Sequence, residues 1–474
     1  MVSILGPQDR DLLRKAMIAI GKAEDSALVV SSACSGTEVH SFAGAALFSV
    51  LHFGQGKRLK YKVRFACEKA PSKIAWIQKV LHHAGHDSCI FDDYGKLDGE
   101  SAECLVHQPG RCFISSGPAG ISIIIHTAGF SCKDLSKAKG VPAETRNSTL
   151  MDRTGTTGDT FDDLLQHLQS HCPPCYVGEN SDELANKQHA NYHVFIDAML
   201  QIGYVSEVFA LCAEKYRSPA RRARAWIIAL NLKVCGISSD EAKRLIQLMM
   251  QTIARLECGG MDFHDMMLSN THVVVQKELR ARQRKGAALE SHPWEQKFGV
   301  YVRKHGLDIC DCYPPASVRG HPWFACIPPR GQATLGYVMH LHPDWTVVDW
   351  AQDVGRPYWS EDTTMYTLVP TSQPFVRKFN RPILGCEALM MQGVPNHFLL
   401  QQLACEDDKL TDHCLRDMAG NAYAGASFLA VLIGVLTHLP PHAHIIEQIL
   451  SMQQVPAHEV AEAPELDDIL SCLL

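Results

Sequence analysis

Apolar positions in the first half of the chain fall in short runs separated by stretches with helical spacing. Residues 8 to 22 place Leu12, Leu13, Met17 and Ile20 near one face of a helix. Residues 27 to 33 (ALVVSSA) form a short apolar run closing on small residues, which predicts a buried strand entering a turn. KVRFAC at 62 to 67 repeats the pattern and closes on Glu68, and residues 71 to 84 predict the helix after it. A third short strand is expected in CIFDD, ending at Asp92 and Asp93. Further apolar runs lie at 111 to 116 and 121 to 128, the second (ISIIIHTA) strongly β-branched. Residues 160 to 170 predict a helix, 175 to 178 an extended segment, 192 to 212 a helical or mixed stretch, and 225 to 230 (AWIIAL) another strand. Strands alternating with helices argue for a parallel α/β sheet.

The pattern changes near residue 232. Residues 240 to 257 have helical spacing, 276 to 285 (QKELRARQRK) are strongly basic, and 293 to 380 are rich in Pro, His, Trp and Tyr without a clear period. Helical spacing returns at 383 to 392 and 422 to 438, and the tail beyond Pro456 is acidic. Four segments follow: 1–232 as the main α/β domain, 233–379 as an inserted irregular domain, 380–440 as a return to the main domain, and 441–474 as an acidic tail.

The 46% hydrophobic content over 474 residues supplies a large core, and the net charge of −6 gives no global attraction to a polyanion. Any nucleic-acid face must therefore be a local basic patch. Charges throughout residues 1 to 20 do not read as a secretory signal, and no stretch reads as long and apolar enough to span a membrane. The 18 cysteines lack the short regular spacing of a disulfide scaffold, which fits reduced thiols in a cytosolic or nuclear setting. Two close pairs, Cys172 with Cys175 and Cys310 with Cys312, do not make the two well-spaced pairs that structural zinc usually requires, so no metal is expected.

Candidate chemistry gathers at the predicted strand ends. The first strand runs into Cys34-Ser35-Gly36-Thr37-Glu38, a small-residue turn that lets a ligand approach the backbone. Glu68 is placed to hydrogen-bond ribose hydroxyls, and Asp92 or Asp93 to meet an adenine amino group. Cys132, in Ala128-Gly129-Phe130-Ser131-Cys132-Lys133-Asp134-Leu135-Ser136, follows a strand where α/β folds bind ligands. A thiolate there is able to attack an electrophilic carbon.

GFSCKDLS resembles the catalytic loop of the cytosine-5 DNA methyltransferases, whose usual form is Pro-Cys-Gln followed by Phe-Ser. Tyr176-Val177-Gly178-Glu179-Asn180 resembles their Glu-Asn-Val strand end, and Ser218-Pro219-Ala220-Arg221-Arg222-Ala223-Arg224 their Val-Pro-Gln-x-Arg-x-Arg segment. Arg381-Pro382-Ile383-Leu384 with Glu387 through Gln392-Gly393-Val394-Pro395 is similar to their Arg-x-Leu…Glu…Gln-Gly-Phe-Pro block, and Gly420-Asn421-Ala422 to their Gly-Asn-Ala helix start. With the first turn, six segments occur in the family's order.

The resemblance implies a doubly wound, Rossmann-like α/β methyltransferase domain with a smaller inserted target-recognition domain. It implies methyl transfer from S-adenosylmethionine to carbon 5 of cytosine in DNA, the alternatives being a transfer RNA cytosine as substrate or a catalytically weak nucleic-acid-binding regulator on the same fold, and a nuclear setting with the cytoplasm as alternative. Cys132 would attack carbon 6, Glu179 would hydrogen-bond or protonate ring N3, Arg224 would contact the cytosine carbonyl, Arg222 would hold phosphate or the loop, and Asn180 would orient the loop backbone. Ser35, Gly36, Thr37, Glu38, Glu68, Asp92, Asn421 and Ala422 would line the cofactor site. In the inserted region, Arg280, Arg282, Arg284 and Lys285 are placed to meet phosphates. Ser131, Lys133, Ser181 and Ala220 depart from the family pattern, which alters the supports of the reacting groups and spares the groups themselves.

Overall fold

The computed structural model describes residues 6–22, 27–34, 36–50, 52–53, 57–58, 60–107, 110–114, 124–136, 142–286, 294–352, 358–404 and 410–440. The acidic tail 441–474 expected above lies outside the described residues. Two compact units emerge. The first comprises Met1–Tyr216, Arg222–Gly259 and Ala422–Leu474, and the second Arg217–Arg221 and Gly260–Asn421.

The first unit is built on seven strands: β1 (Ala27–Ala33), β2 (Lys60–Cys67), β3 (Cys89–Phe91), β4 (Ile125–Ala128), β5 (Cys175–Ser181), β6 (Tyr204–Cys212) and β7 (Ala223–Asn231). Their order in the sheet is β6-β7-β5-β4-β1-β2-β3. The five strands from β3 to β5 run parallel, and every residue of β1 and β5 is buried. Burial on both faces is why these strands read as unbroken apolar or small-residue runs. β7 runs antiparallel to both β5 and β6, a difference from the wholly parallel sheet expected. Only ten residues join β6 to β7, enough for an antiparallel return and too few for the helical crossover a parallel pair needs. Residues 192 to 212 resolve into the helix Ala190–Gln201 followed by β6.

Strand order reverses between β1 and β4, the position at which doubly wound folds bind ligands. There the register aligns Phe91, Cys67, Ala33, Ala128 and Gly178 in one row across five strands. The next residue on each strand is Asp92, Glu68, Cys34, Gly129 and Glu179, so the carboxyl edge gathers the chemistry-bearing side chains that are far apart in sequence.

Helices cover the sheet, and Phe65, Phe91, Phe130, Phe161, Phe195, Tyr176 and Tyr204 fill one continuous core. A polar stitch crosses it: His126 Nδ1 meets Ser31 Oγ at 2.8 Å and Nε2 meets Tyr94 Oη at 2.8 Å. Burial lowers the His126 pKa well below the usual range, which keeps the ring neutral. Within the helical run Asp412–His438 an 18-residue window has a mean hydropathy of 1.6, long and apolar enough to cross a membrane, correcting the expectation that no stretch would be; 89% of that window is buried. The latter part of the run, Gly425–His438, is the core helix of the first unit, packed against Ser239–Arg255, Val39–Val50 and Pro7–Lys22.

In the second unit, short helices surround a four-stranded antiparallel sheet ordered Tyr358–Ser360, Val347–Asp349, Pro374–Val376, Arg381–Pro382. The aromatic-rich sequence from 293 to 380 lacks a period because its apolar residues serve these short elements, converging in a core of Phe298, Trp345, Trp350 and Phe375. Arg381 and Glu387 form a fully buried bidentate pair at 2.7 and 2.8 Å. Arg381 also donates to Leu268 O, Asn270 Oδ1 and Pro382 O, while Glu387 accepts from the backbone N–H of Leu268 and Leu384.

Candidate active site

β4 ends at Ala128, and the chain then turns through Gly129 into the loop that carries Cys132. A Cβ on Gly129 would lie 3.0 Å from the Glu179 carbonyl oxygen and 3.2 Å from Tyr423 Oη, so a side chain here would push its neighbours back by a few tenths of an ångström. The loop is pinned on both sides. Asn180 donates from Nδ2 to Phe130 O at 2.9 Å, and Tyr176 Oη donates to Ala128 O at 2.9 Å. From the helix Gly155–His171, Thr160 Oγ1 accepts from Ser131 N and Thr157 Oγ1 from Asp134 N, while Thr157 N donates to the Asp134 carboxylate. The Cys132 carbonyl accepts from Leu135 N and Ser136 N, closing a tight turn just after the thiol. At Ser131, where the family has proline, the threonine bond to its N–H restrains the loop instead.

Cys132 is exposed. The protein packed around its sulfur raises the thiol pKa, Glu179 adds to the rise, and Arg224 and Arg222 oppose it. Glu179, first residue beyond the aligned row, is only 9% exposed. Arg224 Nε lies 3.1 Å from its Oε1 and Arg222 Nη2 3.9 Å from the same atom. Burial raises the Glu179 pKa against the pull of both arginines. Arg222 immediately precedes β7 and Arg224 is its second residue, two positions apart in extended chain, which turns both to one side. Burial pulls the Arg222 guanidinium below its usual range, with Arg224 next, while Glu179 and Cys132 pull back, and it remains a cation near neutrality. One thiol, one carboxyl group and two guanidinium groups therefore lie together at the end of the sheet. Asn180 joins them as the clamp on the loop.

The expected cofactor residues behave differently from one another. Gly36 (φ +62°) stands in the turn after β1 with no heavy atom within 4 Å of where its Cβ would be, so the turn is open. Thr37 is fully buried, its carbonyl accepting from Trp76 Nε1 and its Oγ1 without a hydrogen-bond partner among the described residues. Glu68 is half-buried, with Oε1 accepting from Ala70 N, and Asp92 is exposed. Glu38 is a correction. It is fully buried, bonded to Ser32, Ser41 and His40 beneath the turn, so its carboxylate faces the core and no ligand. Ser35 lies outside the described residues. Ala422 is fully buried in the first unit, whereas Asn421 ends the second, exposed, with its amide donating to Asp417.

In the second unit the basic helix Val273–Lys285 shows Arg280, Arg284 and Lys285 to solvent. Arg282 is the second correction. It bonds Glu278 at 2.8 Å and Asp412 at 2.7 Å and lies over the Trp323 ring, so it ties helices together and leaves phosphate contact to its neighbours. Thr157, Thr160, Asp134 and Tyr423 were missed by sequence reasoning. A threonine pair at i, i+3 in the first turns of a helix was the one local hint.

The family profile described as C-5 cytosine-specific DNA methylase matches residues 119–424, well over half of the chain. That span holds Cys132, Glu179, Arg222 and Arg224, and begins after Gly36, Glu68 and Asp92. The chain is similar to the DNA (cytosine-5-)-methyltransferase DMT5 of Cryptococcus neoformans var. grubii, 24% identical over 439 residues, covering 85% of this chain and 17% of that protein. To the protein of the same name from Verticillium dahliae it is 22% identical over 477 residues, covering 85% and 19%. The chain thus spans less than a fifth of the length of these relatives. Among solved structures it is similar to a putative DNA modification methyltransferase encoded within an Escherichia coli prophage (TM-score 0.45, 13% identity, 87% of this chain and 99% of that one). It is also similar to the S. pombe Dnmt2 methyltransferase (TM-score 0.43, 13% identity, 86% and 98%). The profile match and the seven-stranded order agree: the chain belongs to the C-5 cytosine-specific DNA methylase family, on a Rossmann-like methyltransferase fold.

Proposed function

We propose that the chain methylates carbon 5 of cytosine in DNA, with Cys132 as nucleophile and S-adenosylmethionine as donor. The convergence of Cys132 with Glu179, Arg222 and Arg224 carries this reading. The printed names of the DMT5 relatives favour DNA over RNA. Carbon 5 of cytosine is a weak nucleophile. Addition of the Cys132 thiolate at carbon 6 pushes electron density toward it. Glu179, whose carboxyl pKa burial raises, donates a proton to N3 as that density accumulates. Arg224 meets the ring carbonyl, and Arg222 holds Glu179 and favours the thiolate. Once carbon 5 carries the methyl group, loss of its proton to solvent breaks the carbon–sulfur bond and returns the thiolate, and the N3 proton goes back to Glu179. The base leaves the duplex to reach these groups, at roughly a few kcal/mol. Arg280, Arg284 and Lys285 are suited to phosphate contact.

The open Gly36 turn, the Thr37 Oγ1 without a partner among the described residues, and the two carboxylates of Glu68 and Asp92 fit an adenosyl sulfonium. Glu68 would hold its ribose and Asp92 its adenine. Bound there, S-adenosylmethionine supplies an electrophilic methyl group.

The test is a duplex carrying 5-fluorocytosine, incubated with labelled S-adenosylmethionine, with matched single-stranded DNA and RNA in parallel. The reading expects a covalent, labelled DNA–protein adduct. No adduct with any substrate overturns it, and an adduct with RNA alone overturns the choice of DNA.

Two further outcomes follow from the geometry. With the thiol pKa above that of Glu179, activity requires the minority state of thiolate plus protonated carboxyl. The rate therefore rises with pH up to the Glu179 pKa, stays level, and falls above the Cys132 pKa. In Glu179→Gln the side chain no longer titrates, so the level region becomes a continuous rise toward the thiol pKa, at a rate roughly 10²-fold lower or less. Initial rates from pH 5 to 10 check this. Gly129→Ala forces β4 and β5 apart beside the loop and is expected to lower kcat by about 10²-fold with little change in DNA affinity.

A further inference from the structure

At the far edge of the sheet, Cys89, Cys104, His107 and Cys112 bring their ligand atoms within 4.8 Å of one another. Cys89 opens β3. Cys112 belongs to the second strand of a two-stranded ribbon, Ser101–Glu103 with Arg111–Phe113; Cys104 immediately follows its first strand, and His107 lies between the two strands. The spacing is Cys-x14-Cys-x2-His-x4-Cys. We propose that these four side chains bind a structural zinc ion.

The distances carry the argument. Cys89 Sγ, Cys104 Sγ and Cys112 Sγ lie 3.6, 3.5 and 3.6 Å from His107 Nδ1. Zinc–sulfur bonds of ~2.3 Å and a zinc–nitrogen bond of ~2.0–2.1 Å, set at the tetrahedral angle, give a sulfur–nitrogen edge of about 3.5–3.6 Å. All three edges match that figure. A disulfide between any two of these cysteines would leave the third thiol and the imidazole without a task, and all three are free.

The surrounding bonds are those of a metal site. His107 turns its other nitrogen, Nε2, to Asp87 Oδ1 at 2.8 Å, which fixes the ring with Nδ1 as the lone-pair donor. Val106 N donates to Cys104 Sγ at 3.4 Å. On binding, the three thiols release three protons to solvent, the imidazole stays neutral, and the centre carries a charge of −1 with no change of oxidation state. The ion would clip the ribbon onto β3, where Leu105 N already donates to Ile90 O at 2.8 Å. β3 is only three residues long and lies at the sheet edge, with little pairing of its own to hold it.

The experiment is elemental analysis of the full 474-residue chain, purified from zinc-supplemented medium and dialysed against metal-free buffer. About one zinc per chain is expected. Replacement by Co²⁺ should give the thiolate charge-transfer bands and intense visible bands of a tetrahedral S₃N centre, a measurement that needs no variant. Cys112→Ser should lose the ion. Asp87→Asn keeps every ligand and should release zinc to a chelator at roughly 10–100-fold lower chelator concentration. Metal-free protein with reduced thiols, or zinc retained unchanged in Cys112→Ser, or a cobalt spectrum without thiolate bands, would each overturn the proposal.

Discussion

Cys132→Ala is expected to lower methyl transfer by about 10⁴-fold or more, because the nucleophile acts as a unit with its partners. The covalent adduct with 5-fluorocytosine should vanish. Folding should survive, since Cys132 is exposed and its loop is held through the backbone of Phe130, Ser131, Asp134 and Ser136, none of which uses the thiol. A stability change within roughly 0.5 kcal/mol is expected. DNA affinity should be unaffected, so binding and turnover separate cleanly. Among the described cysteines only Cys132 and Cys310 are exposed. In a background with Cys310, Cys405 and Cys472 all changed to Ser, alkylation should therefore label Cys132 and abolish activity in step with labelling. Activity that persists after complete modification of Cys132 would remove it from the reaction.

Glu387→Ala should produce the largest loss of stability in the molecule. It strands the Arg381 guanidinium, wholly buried, beside the vacated hydrogen bonds of Leu268 N and Leu384 N. Removal of one partner of such a pair costs roughly 3–5 kcal/mol, because the remaining charge has no route to water. Urea unfolding followed through the tryptophans of the second unit should show that transition move to lower denaturant. The double variant Arg381→Met/Glu387→Leu, which removes both charges and keeps the volume, should recover most of the loss. If the single and double variants were equally unstable, packing rather than the buried charge would be the cause.

The sheet was largely readable because its strands are short apolar runs followed by small or acidic residues: β1, β2 and β3 each follow that rule, with Glu68 and Asp92 one residue beyond β2 and β3, while Glu179 lies within β5, one residue past the aligned row. β6 was harder. Tyr204–Cys212 mixes strand and helix formers, and the helix Ala190–Gln201 precedes it with only two residues between. Glu38 misled because a turn after a strand suggests a ligand, whereas a local φ of +53° and the partners Ser32, Ser41 and His40 carry its side chain inward. For Arg282 the signal was present. Val275, Leu279 and Arg282 fall at i, i+4 and i+7, the buried stripe of the helix, and Lys277, Arg280 and Arg284 occupy the other side. The threonines that restrain the Cys132 loop come from more than twenty residues away, and no local pattern announces such pairings.

The helix Gly425–His438 has one further consequence. Its apolar side chains complete the core of a unit whose other parts end at residue 259, and more than 160 residues of the second unit intervene. During synthesis the early part of the chain emerges with the surfaces of Val39–Val50 and Ser239–Arg255 bare, and they stay bare until residue 438 has cleared the ribosome. Such a nascent chain shows apolar surface for that interval, the condition under which chains aggregate, and a truncation upstream of residue 425 is expected to leave it in that state.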